Sequence, residues 1–358
     1  MNPFGQAALL LAASVALATP RAVAGAQTNA GPARLDRNQL LVYREGYGAT
    51  RPVRSVRDWE KRRAEIVRGM EAVMGPLPGR TMRCSLDLRV EKESECGTCV
   101  CRDISYASEP GSRVPGWLLI PKLALAEKQR CPAALCLHPT GPVGVPDYAR
   151  ELAGRGYVTL TPNYPLLGRY EPDLKALGWE SGTMKAIWDN MRGLDLLDSL
   201  PYVKHGKYGA IGHSLGGHNS IYTAVFDQRI AVVVSSCGFD SYLDYYGGDP
   251  KNWQPERGWC QTRYMPKLAS YAGHLEDIPF DFQEMLGALA PRPVFINAPL
   301  GDINFRWQSV DRVVAAALPV YRLYGKPENL HLEHPNCGHE FPEAMRQMAY
   351  RLLDERLK

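Results

Sequence analysis

Hydrophobic positions fall into three regimes along the chain. From Ala7 to Thr19 they run almost unbroken, and from Ser55 they recur at Trp59, Ile66, Met70 and Val73, the spacing of one helical face. Ser55 can cap that helix, with Asp58 three residues on, and Gly75-Pro76-Leu77-Pro78-Gly79 ends it. Three β-like runs follow at 84–90, 100–107 and 114–120, separated by turn-rich segments. Beyond them short apolar runs alternate with longer helical stretches. Strands are expected at 133–137, 157–161, 208–211, 230–235, 293–298 and 329–332, and helices at 148–154, 181–198, 216–225, 309–317 and 342–357. This order predicts an α/β fold: a mostly parallel central sheet with antiparallel strands at its start and helices on both faces. There is no internal repeat.

About 55 residues between 237 and 293 break the alternation. They carry Tyr242, Tyr245, Tyr246, Trp253, Trp259, Tyr264 and Tyr271. The segment reads either as an excursion with its own small core or as a cap whose aromatics line a substrate cleft.

The apolar run near the N-terminus is too short to span a bilayer, and Ala22-Val23-Ala24-Gly25-Ala26 supplies small residues at signal-peptidase spacing. Residues 1–24 therefore read as a signal peptide, although Met1 to Gln6 carries no Lys or Arg; an N-terminal helix is the alternative. Residues 25–54 form an extension and 55–358 the α/β domain, with an insertion or cap at about 238–291. A secreted or periplasmic protein without a stable membrane anchor is expected. Nine cysteines, an odd number, leave at least one unpaired within the chain. Cys96-x-x-Cys99-x-Cys101 has no second pair or nearby His to complete a four-ligand metal site, so an oxidising compartment favours disulfides, with connectivity open.

At 45% hydrophobic and 22% charged residues the composition is that of a soluble globular protein. The formal charge of +4 is dispersed without a long basic run, which argues against nucleic acid as a partner.

The most informative stretch is Tyr208-Gly209-Ala210-Ile211-Gly212-His213-Ser214-Leu215-Gly216-Gly217-His218. An apolar strand enters Gly-x-Ser-x-Gly and leaves as a helix, the context of a nucleophile elbow. The sharp turn strains the serine backbone, so the positions two residues to either side must lack side chains, as Gly212 and Gly216 do. Ser214 is the expected nucleophile. It needs a base and an orienting acid, following it in the order acid, then histidine.

Asp302 lies in the loop after the strand 293–298 and is the expected acid; Asp240, just after Cys237, is the rival. His339, in the loop before the last helix, is the expected base, with His334 and His331 less well placed. A metal site built from His331, His334, Cys337 and His339 would leave Ser214 without a base, so no metal is expected. The oxyanion donors are expected to be the backbone N–H groups of Leu215 and Thr140, because Pro139 has none to offer. His138, His213, Trp253 and Trp259 are candidate substrate contacts, whereas His218 reads chiefly as a packing residue.

These residues resemble the α/β-hydrolase superfamily from about Val114 to Lys358. The elbow Gly212-His213-Ser214-Leu215-Gly216, Leu137-His138-Pro139-Thr140, Asp302-Ile303-Asn304-Phe305 and His339-Glu340-Phe341-Pro342 are similar to secreted bacterial dienelactone-hydrolase-like, acetylxylan-esterase-like and prolyl-oligopeptidase-like proteins. Two departures stand out. Dienelactone hydrolases use a Cys where this elbow has Ser214, and prolyl oligopeptidases carry a β-propeller for which this chain has no room.

The resemblance implies an exported serine hydrolase of carboxylic esters, acting through an acyl-enzyme without a cofactor. Acylated plant polysaccharide or small aryl and alkyl esters are the implied substrates. A serine peptidase or amidase, or a non-catalytic binding protein on the same scaffold, is the alternative.

Overall fold

Ser55 begins the first helix as its sequence context requires. Its Oγ accepts the N–H of Asp58 at 3.2 Å and donates to Asp58 Oδ2 at 2.8 Å, opening α1 (Val56–Met74). Gly75, at φ 88°, closes it. The apolar stripe Trp59, Ile66, Met70 and Val73 is buried, as the helical spacing demands. The computed structural model describes Met1 and residues 34–46, 48–126 and 130–358, so apart from Met1 the signal-peptide reading of 1–24 lies outside the described residues.

Arg34–Lys358 forms one compact unit. Ahead of α1 a hairpin of β1 (Val42–Glu45) and β2 (Ala49–Pro52) stands apart from the main sheet. Its flanks are tied down by charge: Arg37 pairs with buried Asp281 at 2.5 Å, and Arg34 and Arg62 both pair with buried Glu284.

The main sheet has nine strands. In chain order the elements are β3 (Arg89–Cys96), β4 (Cys99–Glu109), β5 (Ser112–Pro121), α2 (Lys122–Ala126), β6 (Cys131–Leu137), α3 (Asp147–Gly154), β7 (Val158–Pro162), α4 (Gly182–Ser199) and β8 (Val203–His213). They continue with α5 (Leu215–Phe226), β9 (Ile230–Ser236), α6 (Phe282–Leu289), β10 (Val294–Asn297), α7 (Trp307–Leu323), β11 (Leu330–Glu333) and α8 (Glu343–Leu357). The spatial order is β11-β10-β9-β8-β6-β7-β5-β4-β3. Pairings from β7 to β11 are parallel, and β3, β4 and β5 join antiparallel.

The strand expected at 84–90 lies instead at Arg89–Cys96. Its side chains are almost all exposed, so it has no hydrophobic alternation to read and is defined by pairing with β4. A disulfide joins Cys96 to Cys101 across the β3–β4 turn, and Cys84, Cys99, Cys136, Cys237, Cys260 and Cys337 are free thiols.

Alternating residues of the central strands feed two cores. Ala133, Leu135 and Leu137 of β6 join the larger one with α1, α4 and α5, while Ala134 and Cys136 pack with Tyr148 of α3 and Leu353 of α8. No helix among the described residues is long and apolar enough to cross a membrane.

The segment after β9 is a chain of short 3-10 turns ending in α6. Its inner aromatics form a core: Tyr242 meets Trp253 edge-on at 5.8 Å and Phe280 at 5.6 Å, and all three are fully buried. Trp253 is therefore not a substrate contact; it is a structural centre of the insertion. The outer aromatics have a different role, because Tyr245, Tyr246, Trp259 and Tyr264 line a cavity shared with Ser214.

Candidate active site

β8 runs directly into Ser214, and α5 begins at Leu215. Ser214 has φ 53° and ψ −120°, a conformation costing a non-glycine residue about 1–3 kcal/mol. The surroundings hold it there. Its N–H donates to Ser236 O at 2.8 Å, and the positions two residues to either side, Gly212 and Gly216, have no room for a side chain. A Cβ on Gly212 would lie 2.2 Å from the Gly216 carbonyl, and one on Gly216 would lie 1.8 Å from Leu137 O. Ser214 is left half-buried at the N-terminus of α5, whose unpaired first-turn N–H groups favour developing negative charge.

Asp302 and His339 arrive on neighbouring loops, after β10 and β11. Gly301 N–H donates to Cys337 O at 2.9 Å, and Leu300 N–H to Pro335 O at 3.0 Å, so the two loops are zipped together. Asp302 Oδ2 then lies 2.9 Å from His339 Nδ1. Its other oxygen accepts the N–H groups of Asn304 at 2.8 Å and Phe305 at 3.1 Å. Burial alone would raise the Asp302 pKa, but the bond and charge of His339, with these two N–H groups, hold it below the usual carboxylate value.

The base is anchored from beneath as well. Glu340 O, beside His339, accepts from Asn297 Nδ2 at 2.9 Å and from the Cys237 thiol at 3.3 Å.

Asp240, the rival acid, has no bond to His339. It is buried, with Oδ2 accepting the Arg306 N–H at 3.4 Å and Oδ1 unpartnered, and burial pushes its pKa up to about 8. His334 is occupied elsewhere, by Ala298 O and Asp311. Cys237, Asp302 and His339 offer ligand-type atoms within 4.8 Å of one another. Their chemistry is that of a hydrogen-bonded relay, because His339 Nδ1 is taken by Asp302 and burial keeps the Cys237 thiol protonated.

Thr140, Ser214, Leu215, His218, Trp259 and Arg263 line a cavity of about 260 Å³. Thr140 is exposed there on the loop after β6, with Leu215 at the first position of α5. His138 does not belong to this lining. It is buried, its Nε2 accepting the Tyr164 N–H at 3.0 Å and its Nδ1 donating to Pro139 O at 2.7 Å, so it braces the loop rather than meeting substrate.

His213 also turns away from the cavity. Its Nδ1 meets Ser236 Oγ at 3.1 Å, its ring lies 4.9 Å from that of His339, and it lines a separate hollow with Pro139, Tyr148 and Phe341. Burial first, then proximity to His339, lowers its pKa to about 4.

Among the lining residues, His218 and Arg263 stand outside the set expected from sequence. His218 lies one helical turn after Ser214, a spacing that places both on one side of α5 and was the available signal. Arg263 sits in the irregular insertion, where no periodicity indicates direction.

A sequence-family profile described as "Glucuronyl esterase, fungi" matches residues 177–325. The solved glucuronoyl esterase from Solibacter usitatus superposes with a TM-score of 0.70 at 17% identity, covering 88% of this chain and 96% of that one. A glucuronoyl esterase from Teredinibacter turnerae gives 0.67 at 16% identity, covering 88% of each chain. The chain has the α/β-hydrolase fold.

Among curated proteins, YtaP of Bacillus subtilis is 24% identical over 315 residues, 82% of this chain and 99% of its own length. The 4-O-methyl-glucuronoyl methylesterase of Phanerochaete carnosa is 23% identical over 186 residues, 47% of this chain and 45% of that protein. Ser214, Asp302 and His339 follow the C-terminal ends of β8, β10 and β11, strands linked by parallel pairing, and so stand along the same edge of the sheet.

Proposed function

We propose that the chain is an exported serine hydrolase that cleaves uronic acid esters of plant polysaccharide. Ser214 attacks the ester carbonyl while His339 Nε2 takes its proton. The N–H groups of Leu215 and Thr140 hold the oxyanion, each such donor typically contributing about 3 kcal/mol to the transition state. The C–O bond breaks, the alcohol leaves with the proton from His339, and Ser214 is acylated. Water then gives a proton to His339 and its oxygen to the acyl carbon, releasing the acid and restoring Ser214. Asp302 keeps the His339 ring oriented and stabilises its charged form.

The observation that carries this reading is the pairing of a strained serine at φ 53° with a histidine–carboxylate bond of 2.9 Å on the loops after the last two strands. The substrate class rests on the named activities of the glucuronoyl esterases it resembles and on a cavity mixing aromatic with polar side chains. A fluorophosphonate probe should label wild-type protein at Ser214 and leave Ser214→Ala unlabelled. Methyl glucuronate should be hydrolysed faster than acetylated xylan. Absence of labelling in the folded wild type refutes the mechanism, and a preference for acetyl esters refutes the substrate class.

A further inference from the structure

The cavity that holds Ser214 also holds a cation without an acid. Arg263 Nε donates to Gln261 Oε1 at 2.9 Å, Nη2 donates to the same oxygen, and the guanidinium lies 5.3 Å from the centre of the Tyr264 ring. No carboxylate among the described residues pairs with it. Its Nη1 edge is free of these contacts, and a guanidinium presents its N–H groups in a fork suited to a carboxylate.

The backbone beneath it is rigid. Gly182 N–H donates to Thr262 O at 3.2 Å and Thr183 N–H to Tyr264 O at 3.1 Å, and a Cβ on Gly182 would lie 2.2 Å from Arg263 O. The N-terminus of α4 thus grips the residues on both sides of Arg263, so the cation is presented at a fixed place.

His218 adds a second unmatched group. It is 1% exposed, neither ring nitrogen has a hydrogen-bond partner among the described residues, and its walls are Trp259 at 4.6 Å and Tyr222 at 5.4 Å, both edge-on. Buried polar groups in native proteins are nearly always satisfied, so one left open in a cavity marks where a ligand donor or acceptor fits. Burial lowers the His218 pKa to about 3, so the ring is neutral and Arg263 supplies the positive charge there.

We propose that Arg263 and His218 select an acyl half bearing a free carboxylate in addition to the ester being cleaved, Arg263 holding the carboxylate and His218 a hydroxyl. A neutral ester gives Arg263 nothing to pair with. A polyuronide with one esterified and one free uronate has both groups. This inference rests on the ester-hydrolase reading and deepens it.

Matched p-nitrophenyl esters of butyrate and monosuccinate differ by the carboxylate and test it on the full chain. Wild type should favour the succinate in kcat/KM by about 10-fold or more, the effect of one charge-assisted contact. The ratio should fall at about 0.5 M salt and approach 1 in Arg263→Gln, with partial recovery in Arg263→Lys. A wild-type ratio of 1 or below, or a ratio unchanged in Arg263→Gln of wild-type melting temperature, overturns the proposal. Failure to turn over either ester in a Ser214-dependent way overturns the hydrolase reading itself, and this inference with it. For His218, His218→Phe keeps the ring volume and should raise KM for methyl glucuronate about 5–10-fold, the loss of one hydrogen bond, while leaving the succinate-to-butyrate ratio in place. An unchanged KM removes His218 from the site.

Discussion

Asn297 Nδ2 donates to Glu340 O at 2.9 Å and to Ser236 Oγ at 2.8 Å. One amide therefore joins the residue beside His339 to the strand end whose Ser236 carbonyl receives the Ser214 N–H. Displacing a catalytic group by about 1 Å can cost 100-fold in rate, so Asn297→Ala should lower kcat by roughly 10–100-fold with little change in KM. Steady-state kinetics alongside a melting curve test this. An effect confined to KM or to melting temperature would contradict the positioning role.

Asp302 and Asp240 should separate cleanly in activity. Asp302→Asn removes the charge that stabilises protonated His339 and should reduce kcat by about 10³–10⁴-fold. Asp240→Asn should stay within a few-fold of wild type, since Asp240 makes no bond to His339. The reverse order of effects would reassign the acid. Because Asp302 is held below its ordinary pKa, its contribution to stability is complete above the unfolded value near about 3.9 and disappears as pH falls through the folded value. Acid titrations of unfolding should show this dependence weakened in Asp302→Asn.

Asp240 carries the opposite pH signature. Its folded pKa of about 8 lies above the unfolded value, so the native state binds the extra proton and stability falls as pH rises between about 4 and 8. Asp240→Asn should therefore stabilise the protein at pH 8 by about 2–4 kcal/mol more than at pH 5. Denaturant unfolding at the two pH values measures the difference, and an equal effect at both would show that Asp240 is not held protonated.

Lys185 Nζ lies fully buried, 2.9 Å from Glu109, 2.5 Å from Asp189 and 2.9 Å from Ser108 Oγ. Lys185→Met would leave two carboxylates in the interior without their cation, at a cost of about 3–5 kcal/mol. Chemical denaturation should register that loss, and a change under about 1 kcal/mol would show that the cluster is solvated.

Gly216→Ala tests the elbow sterically. The added methyl would sit 1.8 Å from Leu137 O, a backbone atom that cannot turn aside. Probe labelling of Ser214 should be lost together with several kcal/mol of stability, whereas Gly338→Ala, which meets open space, should fold normally. Normal labelling of Gly216→Ala would show that this turn has room for a side chain.

Much of the frame was legible in the sequence because it depends on local rules. Ser55 and Asp58 announce the start of α1, and Gly212 and Gly216 announce a turn that tolerates no side chain. The alternation of strand and helix announces a parallel sheet, and the residues after the last strands follow the order that such a sheet requires. The edge strand Arg89–Cys96 was less legible, because exposed charged side chains carry no record of a partner.

Function-bearing detail divided along the same line. Residue type and order along the chain determined the elbow at Ser214 and narrowed the acid and base to a few candidates. Tertiary structure decided that Asp302 rather than Asp240 meets His339, that His138 and Trp253 are internal braces, and that His218 and Arg263 share the cavity with Ser214. The reason is physical. Backbone hydrogen bonding and steric limits act between near neighbours and leave periodic marks, whereas the direction of a loop side chain follows from contacts with residues far away in sequence.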